Sequence, residues 1–316
     1  PKYREQQIML ASIFDPAFAD SVARISVPIL LAALGGAICH RAGVFNIALE
    51  GFLLMGAFMA VFGSHFTSSA AWGTLSAISG GIFMAILFAE FHLRRPGDPI
   101  VVSIAINLIS LGLSTYLLRA IFDVSGVFQS DQIQKISLLD IPMLENIPFI
   151  GSFFSGQSLL FYFSLAVVLF AHFFFKYHQL GIWLRAAGEN KQALEAGGVS
   201  SKKIQFLALI LCGALCGLGG AQLSISNVGL FVENMSAGRG WIAVVIVLVT
   251  GGRALPLLGL VFLFGTVDST ALRVQGFGLP QQFTEMMPYL ASLLALIFVC
   301  YRKLKFDKNT QGIRNV

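Results

Sequence analysis

The chain has 316 residues, of which 56% are hydrophobic and only 12% charged, and its mean hydropathy is +0.78. A soluble domain carries about 25% charged residues, so this chain lacks the polar surface to cover a globule in water. The net charge of +5 does not point to nucleic acid, because the basic residues fall in loops between apolar runs, which is the pattern of the positive-inside rule.

A membrane-crossing helix needs about 20 mostly apolar residues. Nine runs come near that length: 18–39, 46–63, 71–91, 100–121, 156–175, 204–224, 240–250 with an irregular continuation, 256–274 and 286–301. The runs starting at Asn46 and Trp241 are short and interrupted by glycine, and are expected to be partial or broken helices. The first run reads as a retained span and not as a cleaved leader, because the charges before it are of mixed sign. The expectation is an all-α polytopic integral membrane protein of about nine spans, forming a single transmembrane domain over residues 1–316.

Lysine and arginine give the orientation. With the C-terminal tail inside, the inner side holds Arg41, Arg94, Arg95, Lys176, Arg185, Lys191, Lys202, Lys203, Arg253 and five further cations of the tail. The outer side then holds Lys2, Arg4, Lys135 and Arg239. This bias places the N-terminus outside, the 176–203 loop inside and the C-terminus inside. The outer loop 122–155 carries Ile141-Pro-Met and Ile147-Pro-Phe, which favour extended or turned backbone.

Two stretches resemble each other. Gly43-Val-Phe-Asn46 precedes Glu50-Gly51 and an apolar run, and Gly229-Leu-Phe231 precedes Glu233-Asn234, Gly238, Gly240 and a second apolar run. The orientation above gives them opposite directions. Inverted repeats with broken helices meeting near the midplane are a common transporter design.

Charged and amide groups inside a span are costly, so they tend to face a cavity or a partner. Asn46 and Glu50 lie four apart, and Asn107 sits in the middle of its run. Glu233, Asn234 and Arg239 flank the second irregular stretch, and Phe45 and Phe231 are placed to stack on a planar ligand. These eight residues are the expected substrate path. Capping of half-helix ends, or pairing among themselves, is the plainer alternative for each of them. Asp268 and Arg273 are five apart in one run and are expected to pair within the chain or across a subunit interface. Gly213, Gly217 and Gly220 form a small-residue stripe suited to close helix packing.

Other chemistries are poorly supported. The phosphate-cradling pattern G-x-x-x-x-G-K-[ST] and the zinc pattern H-E-x-x-H are absent. No catalytic residue, resident metal or cofactor is expected. Cys39, Cys212, Cys216 and Cys300 lie in or at the ends of apolar runs, which does not suit a disulfide framework.

The polar island between the fifth and sixth runs is the most informative stretch. Asn190 is a good helix N-cap, Lys191-Gln-Ala-Leu-Glu-Ala196 is a good helix former, and Gly197-Gly198 ends it. A helix under two turns is marginal alone in water, and a docking partner would stabilise it.

The string Arg185-Ala-Ala-Gly188-Glu189-Asn190, with Ala193 and Glu195-Ala196-Gly197-Gly198-Val199, resembles the cytoplasmic coupling segment of ATP-binding-cassette importer permeases. The branch it resembles includes the ribose, branched-chain amino-acid and nucleoside permeases. Arg41-Ala-Gly-Val-Phe-Asn-Ile-Ala-Leu-Glu-Gly51 and Glu233-Asn-Met-Ser-Ala-Gly-Arg-Gly-Trp-Ile242 are similar to the nucleoside type, which works with a basic-membrane-protein-like lipoprotein. The Glu-Ala-Ala core of other importers reads Glu195-Ala-Gly here.

The resemblance implies a permease in a bacterial cytoplasmic (inner) membrane. It also implies two copies of a separate ATPase that bind the ATP and magnesium, a second permease subunit, and an extracytoplasmic lipoprotein that delivers the solute. A sugar importer of the same architecture, or an ion-coupled carrier using Glu50 or Asp268, are the alternatives that the residues leave open.

Overall fold

The computed structural model describes residues 15–141, 150–275, 282, 286–297 and 301. The expected nine runs all appear as helix, but seven of the described helices, and not nine, are long and apolar enough to cross a bilayer. These are α1 (Pro16–Arg41), α2 (Leu49–Thr67), α3 (Ala70–Ala89, continued by a π-helical turn to Arg94), α4 (Pro99–Phe122), α6 (Leu159–Tyr177), α9 (Ser201–Ala221, continued by a π-helical turn to Ser226) and α11 (Ala254–Gln275). A single turn, α5 (Ile150–Phe154), precedes α6; α7 (Gln179–Glu189) and α8 (Lys191–Ala196) follow it.

The two remaining helices are shorter. Helix α10 (Arg239–Thr250) has 12 residues and spans about 18 Å, against about 30 Å of hydrocarbon. The last described helix, α12, runs Met286–Ile297. The run from Asn46 differs from expectation in the other direction. Its first residues are irregular, but α2 itself is an unbroken helix of 19 residues.

Short strands qualify the all-helical expectation. In the 122–155 loop, β1 (Val127–Gln129) pairs antiparallel with β4 (Leu230–Val232), and β2 (Leu138–Leu139) pairs antiparallel with β3 (Gln157–Ser158). Residues 142–149, which hold the two Ile-Pro dipeptides apart from Ile141, lie outside the described residues, as does Cys300.

Helices α1, α2 and α9 form the centre. About 83%, 78% and 72% of their most apolar stretches are buried, against 22% for α4 and 33% for α6 and α11. The outer helices therefore turn most of their apolar surface outward, as lipid contact requires. The glycine stripe explains how tightly α9 is held. A Cβ on Gly56 of α2 would stand 2.6 Å from the Gly217 Cα, and Gly213 meets the backbone of Gly81 in α3 too closely for any side chain. Backbones approach because neither side has a Cβ. Helices α1 and α9 run antiparallel, since Gly35 packs on Cys212 while Gly219 packs on the Pro28 carbonyl.

The helix ends sort into two faces. On one, Arg41 Nε donates to the Gly252 carbonyl at 3.1 Å and Gln205 Nε2 donates to the Ala42 carbonyl at 3.0 Å. The ends of α1, α6 and α10 and the starts of α9 and α11 therefore meet there, with α7 and α8. On the other, the Gln134 N–H donates to Ser64 Oγ at 2.9 Å, and Ser158 Oγ donates to Gln222 Oε1 at 2.8 Å.

Candidate functional site

The chain re-enters the interior twice, and the two irregular stretches meet. Residues 42–48 lead into α2, where Glu50 sits in the first turn. Residues 227–238 lead into α10. The Glu50 carboxylate accepts from the Gly238 N–H at 2.8 Å and from the Gly240 N–H at 2.7 Å. The first N–H groups of a helix have no partner within it and carry the positive end of its dipole. A buried carboxylate is a fitting cap, and Glu50 is 9% exposed. Gly240 is required at this crossing: a Cβ there would collide with the Glu50 backbone.

Asn107 of α4 supports the same junction. Its Oδ1 accepts from the Gly51 N–H at 2.8 Å and its Nδ2 donates to the Ile47 carbonyl at 3.2 Å. Asn46 works locally: its Oδ1 accepts from the Ala48 N–H at 2.8 Å and its Nδ2 points at the Cys212 sulfur at 3.6 Å.

A cleft of about 720 Å³ opens beside this junction. Of the expected path residues, Glu50, Asn107, Asn234 and Arg239 line it. The other four lie elsewhere. Asn46 and Phe45 sit on the far side of Glu50, beside His40 and Val244. Phe231 is fully buried with its ring 5.4 Å from that of Phe58. Glu233 accepts from the Gly126 N–H at 3.0 Å and approaches Arg119 at 3.7 Å, next to the β1–β4 pair.

Trp241, Asp268 and Tyr289 complete the cleft wall. Within the chain, no ion pair links Asp268 and Arg273 among the described residues. Asp268 turns into the cleft that Arg239 also lines, while the Arg273 guanidinium lies 5.3 Å from the Phe18 ring. Arg239 starts the half-length helix and lines the cleft. Its Nη1 donates to the carbonyls of Met235 and Ser236 at 3.3 and 3.4 Å. Its Nε is buried without a hydrogen-bond partner among the described residues.

The polar island folds as two helices. Asn190 caps α8, its Oδ1 accepting from the Ala193 N–H at 3.0 Å. Leu194 is buried, and Glu195 accepts from the Ser201 hydroxyl, which docks α8 on the start of α9. Gly198, with φ +81°, ends the segment. Arg185 and Glu189 form a loose i,i+4 pair at 3.9 Å. Helix α7 was not expected from the sequence. It buries Gly181, Leu184 and Ala187, a three-residue spacing of small and apolar groups that marks one helical face. Gly188 lies so close to the Arg41 carbonyl that no Cβ would fit between them.

The family model described as branched-chain amino acid transport system / permease component matches residues 18–299. This chain belongs to that family. The permease is 28% identical over 283 residues to the guanosine ABC transporter permease protein NupQ of Bacillus subtilis, covering 86% of this chain and 88% of that one. It is 28% identical, with the same coverage, to the nucleoside ABC transporter permease protein NupC of Lactococcus lactis. It is also 26% identical over 294 residues to the glucose ABC transporter permease protein TsgB13 of Haloferax volcanii, covering 89% of this chain and 76% of that one. Its fold is similar to that of an ABC transporter solved in an inward-facing conformation, with a TM-score of 0.51 and 18% identity over 94% of this chain and 89% of that one.

The permease is thus a membrane-embedded transport component and not itself an enzyme. Membership of this family removes the reading as an ion-coupled carrier. Sequence reasoning missed Trp241 and Tyr289 as cleft residues. Trp241 sits directly after the Gly-Arg-Gly turn that the sequence already marked, and that position was the available signal.

Proposed function

We propose that the permease carries nucleosides inward as one subunit of an ATP-driven importer in the bacterial cytoplasmic membrane. The observation that carries this reading is the composition of the cleft. Trp241 and Tyr289 offer aromatic faces, and Asp268, Arg239 and Asn234 offer acceptors and donors. A planar base and a hydroxylated sugar need that combination. The likeness to guanosine and nucleoside permeases supports it.

In this reading the α7–α8 face is cytoplasmic. Arg41, Arg94, Arg95, Lys176, Arg185, Lys191, Lys202, Lys203 and Arg253 all belong to that side, which agrees with the positive-inside rule. The N-terminus is then outside and the C-terminus inside. Helix α8, with Arg185, Gly188, Glu189, Asn190, Ala193, Glu195, Ala196 and Gly197 around it, docks on an ATPase subunit. Two such subunits hold ATP and magnesium, and this chain holds neither. A sister permease completes the path, and an extracytoplasmic lipoprotein supplies the solute. Closure of the ATPase pair biases the membrane body between two states through their different contacts with α8.

A sugar is the second reading, favoured by the likeness to the glucose permease of Haloferax volcanii. Uptake of labelled guanosine and glucose by cells expressing the intact transporter separates the two. Guanosine uptake that excess glucose leaves unchanged supports the nucleoside reading. Glucose uptake that guanosine does not reduce selects the sugar.

A further inference from the structure

A second concave site lies on the α7–α8 face, away from the cleft. The end of α1 contributes Arg41, the end of α6 Lys176, helix α7 Arg185 and the turn before α11 Arg253; His172 and Phe175 complete the wall. The pocket holds about 260 Å³, several times the ~30 Å³ that one water occupies in the liquid.

The positive charge here is poorly compensated. Arg41 spends its Nε on the Gly252 carbonyl at 3.1 Å, and its guanidinium carbon lies 5.7 Å from the Phe175 ring. Arg185 Nε is buried and has no hydrogen-bond partner among the described residues. The carboxylate nearest to it, that of Glu189, is 3.9 Å away and 72% exposed. Neither Lys176 nor Arg253 forms an ion pair among the described residues. Four cations that converge from four separate elements repel one another, and this arrangement is stable when an anion sits between them. Arginine forks match phosphate oxygens two at a time, and lysine adds a point charge. Basic pockets between membrane helices on the cytoplasmic side suit phosphorylated head groups.

We propose that this pocket binds a phosphate group and through it ties α1, α7 and the turn between α10 and α11 into one unit. The phosphate belongs either to an anionic phospholipid at the membrane interface or to a soluble phosphate compound. The site adds a ligand-dependent brace to the segment that joins the spans to α8, and it is independent of what the cleft carries.

The test uses the purified full chain with whatever subunits accompany it. Binding of phosphatidylglycerol and of phosphatidylcholine is measured by native mass spectrometry, and thermal unfolding is followed with and without inorganic phosphate. The variant is Lys176→Gln with Arg253→Gln. Both side chains are exposed, so it is expected to fold, and its melting temperature without ligand checks that. The control is Lys202→Gln with Lys203→Gln, on the same face but outside the pocket.

Phosphatidylglycerol is expected to bind more tightly than phosphatidylcholine, and the pocket variant to weaken it by roughly fivefold for each cation removed. The control is expected to bind as the parent does. Stabilisation by inorganic phosphate that the pocket variant loses, with no preference between the lipids, supports the site and assigns it to a soluble phosphate. Loss of lipid preference in the control as large as in the pocket variant overturns the proposal, since general surface charge then explains it. No response to either phosphate source overturns it too. If the pocket variant then loses a co-purifying ATPase, the cations serve a protein contact instead.

Discussion

The carboxylate of Glu50 accepts from the backbone N–H of Gly240 at 2.7 Å, joining two stretches that are 190 positions apart in the chain. A second bond, from the Gly238 N–H, completes the cap. The residue that reads from the sequence as a substrate ligand therefore has both oxygens engaged in holding a helix end. Replacing it by alanine leaves two N–H groups without acceptors, one buried and one partly buried. Glu50→Ala should lower stability by about 2–3 kcal/mol, with Glu50→Gln costing less because one acceptor remains. Unfolding of the purified protein measures this. An unchanged melting temperature together with a raised KM would return Glu50 to the role of a ligand.

Asp268 has the opposite character. It lines the cleft that Arg239 also lines and forms no ion pair among the described residues. Asp268→Asn should cut transport at least tenfold while the protein reaches the membrane at parental levels and melts close to the parent, because a carboxylate without an ion pair among the described residues would act mainly on a solute in the cleft. Quantitative blotting of membranes alongside initial uptake rates checks it. Normal uptake would remove Asp268 from the path.

The glycines at the helix crossings differ from an exposed helical glycine. Gly217→Ala puts a methyl into the backbone of Ala77 and should destabilise by about 1–3 kcal/mol. Gly112, in α4, has nothing within 4 Å of its would-be Cβ. Gly112→Ala should leave stability unchanged or raise it by up to about 1 kcal/mol, through helix propensity. Equal effects of the two would contradict the packing described for α2, α3 and α9.

At the proposed coupling segment, Asn190→Ala removes the side-chain cap of a six-residue helix. A cap is worth about 1 kcal/mol, which matters to a helix this short. Transport should fall without loss of substrate affinity. Glu195→Lys, which also loses the bond from Ser201, should abolish transport while leaving the chain in the membrane. Pull-down of the ATPase with each variant distinguishes lost docking from lost passage.

Apolar runs were readable because membrane burial demands them at every position, so all nine segments emerged as helices near their expected places. Helix lengths were less legible. The sequence does not distinguish a 12-residue half-length helix such as α10, preceded by irregular chain, from a full span whose polar end is tolerated. The short strands carried no signal, since two or three residues cannot show a period of two. At the site, the sequence identified Glu50, Asn107, Asn234 and Arg239 by their cost in a membrane. Whether each faces a cavity or a backbone depends on tertiary partners, which lie 56 and 60 positions away for Asn107 and 188 and 190 positions away for Glu50. Phe231 sits within β4 and Glu233 directly after it, and Asp268 and Tyr289 arrived from helices that nothing local linked to the cleft.

The glycine contact between α7 and the end of α1 has a mechanical consequence. Gly188 rests on the Arg41 carbonyl with no side chain between them, and Gly36, about 8 Å further along α1, packs on Leu49 and Val247. Leu49 and Val247 belong to the two helices that Glu50 joins. The first contact is backbone on backbone and leaves no compressible side chain to absorb displacement, whereas the second is made through the Leu49 and Val247 side chains. A displacement of α7 would therefore pass to the end of α1 with little slack, and from there along that helix toward the junction beside the cleft.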